Sequence, residues 1–520
     1  MPLSECTRAC ASMNRVFHAI ESMAPYSYVV GGFVRDCLLG RPSRDIDVVV
    51  SGDPFSIARD LARELSGSFV PLDEEHGIAR IVLPAPVADA HSAPEQGSDR
   101  LIIDVAQCAG SIENDLSRRD FTLDAIAVPV SAFAAQIDDE ARYQAAAIVD
   151  SAVDPHGGLR DLSERVLRHC GTEVFREDPG RLLRAIRLAQ EFALTISPAT
   201  ESLIMRDASL ISEVAAERTR VELLKLMELP RSADSVRYLD RVGLLTRIIP
   251  ELEACRDVEQ PTSHFWDVLE HSIQTMATYE FISGQSDWRY GNDEMLDHVP
   301  QDPAFHAYPC DEVSAEATRA ALTKIGCLLH DIAKPQTRVL DDTGRARFLG
   351  HARDGATVTR DILQRLRFST NETSYVETLV YNHLRPAQMS TEGLPTARAV
   401  YRFFRDTGSA GAGVLYVAMA DYLACRGPLF TMSEWRNVCG LVAFILQEYQ
   451  RQRATISPRR LIDGRDLMRD LGLEPGPAVG RLLETIREDQ AAGQLETREE
   501  ALRLARETIK GEQSSTRTSK

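Results

Sequence analysis

Positive charge, aromatic residues and paired cysteines are all scarce in this chain. Its 59 lysines and arginines are outnumbered by 77 aspartates and glutamates, for a net charge of −18. That balance excludes a protein that coats nucleic acid non-specifically. RNA stays open as a substrate, because affinity for phosphate depends on local basic patches rather than on the global sum. Aromatics make up only 6%, which favours helix-rich packing through Leu, Ile, Val and Ala. The ten cysteines contain no Cys-x-x-Cys pair, so a zinc ribbon or a disulfide framework is not expected and reduced thiols are. No stretch approaches the ~20 apolar residues that span a bilayer. The longest candidate, Val414 to Cys425, is interrupted by Asp421. The opening MPLSECTRACASMNRVF lacks the basic start, apolar run and small-residue cleavage site of a signal peptide. A cytoplasmic protein without a membrane segment is expected.

A chain of 520 residues exceeds what one hydrophobic core supports and should divide into domains. Residues 22–150 mix short β-type runs (YSYVVGG, DIDVVVSG, ARIVLPAP, RLIIDVAQ, LDAIAVPV) with one amphipathic helix that opens at Asp53–Pro54 and stops at Gly67. This reads as an α/β head, with a Pro/Ala/Ser/Gly-rich loop at 85–99. From about 160 onward the apolar residues recur at three- and four-residue spacing, the helical period. We place a helical neck at 151–230, a helical body at 231–450, a helical tail at 455–510 and a disordered end at 511–520. Residues 283–316 break the helical period with Pro, Gly and acidic residues, and read as an insertion or long loop.

The segment YVVGGFVRDCLLGRPSRDIDVVV is the most informative. Gly31 and Gly32 stand between a strand and a helix, where backbone N–H groups could approach a phosphate, or where the chain simply turns. Asp45 and Asp47 flank Ile46, and strand alternation sends both carboxylates to one face. Two like charges there repel unless a cation sits between them, and oxygen-only ligation suits Mg²⁺. Asp104 is either a third carboxylate on a neighbouring strand or an ordinary strand end.

Several motifs together resemble the class II tRNA nucleotidyltransferase and bacterial poly(A) polymerase family. They are GGFVRDCLLGRPSRDIDVVV, RRDFTLDAIAV (118–128), DPHGGLRDL (154–162), REDPGRLLRAIRLA (176–189), ERTRVELLKLM (217–227) and the tail LIDGRDLMRDLGLEPGPAVGRLLETI. The resemblance covers nearly the whole chain. It implies a small mixed sheet of the polymerase-beta-like kind in an α/β nucleotidyltransferase head, followed by an all-α neck, an HD helical domain and a helical tail. It further implies that Asp45 and Asp47 are catalytic and hold Mg²⁺, and that Gly31, Gly32 and Arg35 contact a triphosphate. Arg118, Arg119 and Asp120 would contact phosphates and ribose. Glu177, Asp178 and Arg181 would read the base, since a carboxylate and a guanidinium can pair with a Watson–Crick edge. Without that context, Asp178 and Arg181 would be read as an i,i+3 surface pair worth ~0.2–0.5 kcal/mol.

Three departures bear on this reading. Position 124 is Asp where the family usually has Asn; Asp124 is still expected among the nucleotide-binding residues, with altered ribose or RNA contacts. Pro179–Gly180 fall inside the Glu-Asp-x-x-Arg motif, so the helix there should start near Asp178. The stretch before RRDF is short, lacking the flexible segment many members use in switching from CTP to ATP. The basic residues Arg181, Arg184, Arg187, Arg218, Arg220 and Lys225 could form an RNA-facing surface, with Arg184 and Arg187 also near the nucleotide.

A second constellation comprises His271, the dipeptide His330–Asp331 and Asp421, all in helical surroundings. It resembles the HD metal-dependent phosphohydrolase superfamily, with His351 and His383 where further ligands often stand and Lys334 placed to meet phosphate. Imidazole nitrogen with carboxylate oxygen suits Mn²⁺, Ni²⁺, Fe²⁺ or Zn²⁺. The expected function is addition of CMP and/or AMP from CTP and ATP to the tRNA 3′ end, without an obligatory protein partner. The alternatives are a CC-adding enzyme, a poly(A) polymerase, or an HD phosphohydrolase whose head only binds RNA.

Overall fold

The structure is a computed structural model. It describes residues 3–74, 77–84, 100–108, 110–134, 145–261, 264–391, 393–456, 461–474, 476–491, 494–495 and 497–517; the expected loop at 85–99 lies outside them. The chain divides into two compact units, Met1–Val214 and Ala215–Lys520.

The first unit is built on six strands: β1 Tyr28–Val30, β2 Asp45–Val50, β3 Ser68–Asp73, β4 Ile78–Leu83, β5 Leu101–Gln107 and β6 Ala127–Pro129. They form one mixed sheet in the order β3-β4-β5-β2-β1-β6, with β2 and β5 parallel and the other pairs antiparallel. Five strands match the apolar runs of the sequence. The sixth, β3, shows no alternating pattern because it is an edge strand with mostly exposed side chains, and the edge tolerates its Pro71. Ile46, Val48, Ile81, Ile103 and Val105 are buried in the core under the sheet. Asp53 caps the helix Pro54–Glu64 by accepting from the N–H groups of Phe55 and Ser56. The head also begins earlier than residue 22. Helix Leu3–Met23 packs Val16, Phe17 and Ile20 into the same core, with Phe17 stacked on Phe133 at 5.0 Å.

In the second unit the helices Val268–Ile282, Arg319–Leu329, His351–Arg365, Thr370–Asn382 and Gly411–Arg426 form the body. The helix Ala216–Glu228, expected in the neck, falls within this unit. Residues 283–316 are not a long loop. They carry the short helices Asp293–Leu296 and Pro303–Ala307 and the strand Glu312–Ser314. Aromatic anchors replace helical periodicity here: Phe305 stacks on Tyr416 at 4.0 Å, and Trp435 Nε1 donates to the Met295 carbonyl at 2.9 Å. The last helix, Arg498–Arg517, runs through most of the stretch expected to be disordered, with no proline to stop it. No described helix is long and apolar enough to cross a membrane.

Candidate functional site

Strand alternation in β2 places Asp45 and Asp47 on one face, around the fully buried Ile46. Asp47 stands beside Asp104 in the parallel pairing of β2 with β5. Asp104 is therefore a neighbour of the pair, but Arg80 on β4 holds both its oxygens at 2.8 and 2.7 Å. Asp47 has no such clamp. Burial, with the adjacent charges of Asp45, Asp104 and Asp124, lifts its carboxyl to about 6, and Arg119 only partly opposes this. Gly31 adopts φ +70° as the chain leaves β1 for the helix Gly32–Leu38, and a Cβ there would lie 2.8 Å from Arg119 Nη1 and 3.1 Å from Asp47 Oδ2. Only a glycine lets the turn, the guanidinium and the carboxylate approach so closely.

The RRDFT segment supplies the other wall. Arg119 Nη2 lies 3.4 Å from Asp115, while its Nε is buried with no hydrogen-bond partner. Arg118 is exposed. Asp120 accepts from Arg184 Nε at 2.7 Å; its carboxyl is pushed up by burial and by Asp124, against the pull of Arg184. Arg35, expected to face a triphosphate, is instead buried with its Nη1 on Asp124 at 2.7 Å and its guanidinium over the Phe192 ring at 4.1 Å. Asp124, expected to bind the nucleotide, is instead 3% exposed with both oxygens taken, the second by Arg184 Nη2 at 3.2 Å.

Beyond Glu177 the helix begins at Arg181, later than Asp178. The Asp178 side chain accepts from the Gly180 N–H at 3.0 Å, an Asx turn that spends the Pro179–Gly180 pair before the first helical residue. Arg181 donates to Glu177 Oε2 at 3.3 Å and to the carbonyls of Val174 and Arg118 at 3.2 and 3.4 Å, beside buried Leu182, Leu183 and Ile186. Arg187 and Arg220 do not lie on an open basic face. Arg187 is 8% exposed and bonded to Glu191 at 2.5 Å; Arg220 turns onto Glu316 and Glu372. Arg218 and Lys225 are exposed.

Sequence reasoning recognised DPHGGLRDL but gave it no task. Asp154 caps the helix Gly158–Ser163 by accepting from the N–H groups of Gly158 and Leu159. Buried Asp161 takes the Thr122 hydroxyl at 2.7 Å and the Arg168 guanidinium. A Cβ on Gly158 would lie 2.1 Å from the Thr122 carbonyl oxygen. This motif fixes the backbone turn that carries Asp120 and Asp124.

In the second unit, all six expected ligands converge. His271 Nε2 lies 3.2 Å from His330 Nε2, 3.3 Å from Asp331 and 3.0 Å from Asp421. His351 Nε2 lies 3.3 Å from the other oxygen of Asp331 and 3.4 Å from His383 Nε2. The ring nitrogens opposite these are tied to backbone carbonyls: Nδ1 of His330 to Cys327 (2.8 Å), of His351 to Phe348 (2.6 Å) and of His383 to Val380 (2.7 Å). Such ties fix Nε2 as the ligating atom. Two groups able to hold a metal thus share Asp331: His271, His330 and Asp331, and Asp331, His351 and His383. Burial pulls His330 down, but the Asp331 and Asp421 carboxylates win and hold it up at about 10; burial and charged His330 push His383 down to about 4. Lys334 Nζ lies 2.5 Å from Asp331 and donates to Gln260 at 2.6 Å.

The comparisons agree with this arrangement. The Poly A polymerase head domain matches residues 27–168, the HD domain residues 268–425, and tRNA nucleotidyltransferase domain 2 residues 442–505. The A-adding tRNA nucleotidyltransferase of Deinococcus radiodurans is 31% identical over 485 residues, covering 92% of this chain and 94% of that protein. The CC-adding tRNA nucleotidyltransferase of Thermus thermophilus is 31% identical over 482 residues, covering 91% and 92%. Among solved structures, a CCA-adding enzyme with ATP shares the fold at a TM-score of 0.61 and 21% identity, covering 98% of this chain and 99% of that one. With full-length relatives at this identity and a head, an HD domain and a tail in the same order, the chain belongs to the tRNA nucleotidyltransferase family.

Proposed function

We propose that the protein adds CMP and/or AMP, from CTP and ATP, to tRNA 3′ ends in CCA addition or repair, in the cytoplasm. The observation that carries this is the carboxylate pair Asp45 and Asp47, set against Gly31 and Arg119, with Asp47 left short of positive charge. An oxygen-only pair of this kind fits Mg²⁺, and Asp45 and Asp47 would hold it. When bound, Mg²⁺ supplies activation of the attacking 3′-hydroxyl and stabilisation of the departing pyrophosphate. Gly31 and Gly32 let the backbone reach the triphosphate. Arg118 and Arg119 bring positive charge to it, Arg119 with a buried Nε still unbonded. Glu177, Asp178 and Arg181 offer the acceptors and donors that read a base edge. Arg218 and Lys225 are exposed and would meet the RNA backbone.

The test uses tRNA lacking CCA, and tRNA ending in C or CC, with Mg²⁺ and CTP or ATP supplied separately. Addition of C, A or both at those ends is expected, and its loss in the double variant Asp45→Ala, Asp47→Ala. No incorporation by the intact protein, or full activity of the variant, would overturn the proposal.

The cluster of four imidazoles around Asp331 favours a second activity, hydrolysis of a phosphoester. Its nitrogen and carboxylate donors fit Mn²⁺, Ni²⁺, Fe²⁺ or Zn²⁺. Such an ion lowers the pKa of water for attack on phosphorus. Phosphatase or phosphodiesterase activity with Mn²⁺ or Ni²⁺ is expected, and Asp331→Ala should lose it together with bound metal while nucleotide addition persists. Metal content and hydrolysis unchanged in that variant would refute this reading.

A further inference from the structure

Asp124 is where three motifs meet. Its Oδ1 accepts from Arg35 of the Gly-Gly segment at 2.7 Å, and its Oδ2 accepts from Arg184 of the Arg181–Glu191 helix at 3.2 Å. Its own carbonyl lies 3.5 Å from Arg119 Nη1 of the RRDFT segment. Arg35 in turn lies over Phe192, the residue closing that same helix. The two arginines are held unequally. The Arg35 side chain is 9% exposed and the Arg184 side chain 38% exposed, and Asp120 holds only Arg184 Nε.

The chemistry of an aspartate matters here. A carboxylate is acceptor-only and can serve two guanidiniums at once, one per oxygen. An asparagine, the residue usual at this place in motifs like RRDFTLDAIAV, has one acceptor oxygen. Its amide NH₂ would face a guanidinium donor to donor. With Asn, the buried and shorter hydrogen bond from Arg35 would stay, and the longer one from Arg184 would break.

We propose that Asp124 is a positioning residue which fixes the Arg184 guanidinium, and with it the outward face of the Arg181–Glu191 helix, for binding of the incoming nucleoside triphosphate. The inference rests on the nucleotidyltransferase reading above. Asp124 is fully covered, so it acts through Arg184 and not by touching the nucleotide.

Asp124→Asn is the test, in the full-length protein, with KM and kcat measured separately for CTP and ATP on tRNA ends that the intact protein extends. The expected result is a rise of roughly ten-fold in KM for the nucleotide used, the scale of one broken hydrogen bond to a charged group, with a smaller change in kcat. Arg184→Gln leaves the Asp124–Arg35 pair in place but also removes the bond to Asp120, and should raise KM at least as much. The double variant should be no worse than Arg184→Gln alone, because Asp124 acts through Arg184. A KM within two-fold of the intact protein in Asp124→Asn, or additive effects in the double variant, would overturn the proposal. If Asp124→Asn does not fold, Arg184→Gln decides alone, and an unchanged KM there overturns it. Lack of any incorporation by the intact protein would instead defeat the nucleotidyltransferase reading.

Discussion

Replacing Asp47 by Asn should stabilise the metal-free protein while abolishing nucleotide addition. Burial and the neighbouring carboxylates raise the Asp47 carboxyl from its ordinary 3.8 to about 6. That is a shift of about 2 units, or ~3 kcal/mol at ~1.36 kcal/mol per unit, as an upper bound. The sign follows from linkage. A carboxylate whose folded pKa is raised carries a stability penalty that is fully present above about 6, shrinks as pH falls, and is gone below 3.8. Without divalent cations at pH 8, Asp47→Asn should therefore gain up to ~3 kcal/mol, or ~6–12 °C in the melting of a unit of this size. At pH 4 most of that gap should have closed. Adding Mg²⁺ at pH 8 should close the gap, because only the parent pair binds the cation. The assay is thermal melting of parent and variant in EDTA and in Mg²⁺ across pH 4–8, read as the difference between them so that other titrating groups cancel. A variant no more stable than its parent at pH 8 in EDTA would refute the reasoning.

Lys324 and Glu280 are both fully buried, and Lys324 Nζ donates to the carbonyls of Met227 and Leu229 and to Ser232 Oγ while lying 3.2 Å from Glu280. Lys324→Met strands a buried charge and should cost ~3–5 kcal/mol in denaturant unfolding, with a loss below ~1 kcal/mol counting against the pairing. Gly158→Ala drives a methyl group into the Thr122 carbonyl; it should cost ~1–3 kcal/mol and impair nucleotide addition by moving the Asp120–Asp124 turn, and a variant of normal stability and activity would argue that the turn is free to shift.

How much was legible in the sequence depended on whether a residue's task is local. Alternation around Ile46 sufficed to put Asp45 and Asp47 on one face, because a strand's period is a property of its own backbone. The His271, His330–Asp331 and Asp421 set was readable for another reason: the adjacent His-Asp dipeptide between LL and IAKP, with a distant His and Asp, resembles the HD superfamily. Arg187 and Arg220 were misplaced because helical spacing suggests an open face and says nothing of what covers it, and Arg35 because a resemblance carries a role over without its local partners. Arg35 meets Asp124 and Arg220 meets Glu372, 89 and 152 residues away, and no local pattern can announce such a partner. Residues 283–316 failed in the opposite sense. Proline there opens the helix Pro303–Ala307 rather than loosening the chain, and Met295, Phe305 and Tyr308 are buried all the same.

The buried and half-buried acids discussed above divide by what neutralises them. Asp104 has Arg80, Asp124 has Arg35 and Arg184, Asp161 has Arg168, and Glu280 has Lys324. In each case the chain supplies its own cation, within 3.2 Å, and the carboxylate is used as structure. Asp331 is met by Lys334 and, like Asp421, by imidazoles; the far nitrogens of His330, His351 and His383 are tied back to the main chain, which leaves lone pairs pointing inward. Asp120 is also raised, but Arg184 Nε meets it at 2.7 Å; Asp47 is raised with no such partner, since Arg119 stands opposite but burial and the charges of Asp45, Asp104 and Asp124 outweigh it. In a protein carrying 59 basic side chains, an acid left short of positive charge beside a glycine turn persists only if folding energy elsewhere carries it. It becomes comfortable when a divalent cation arrives with the triphosphate. The same deficit that makes Asp47 a burden to the empty protein is what makes it selective for the loaded one.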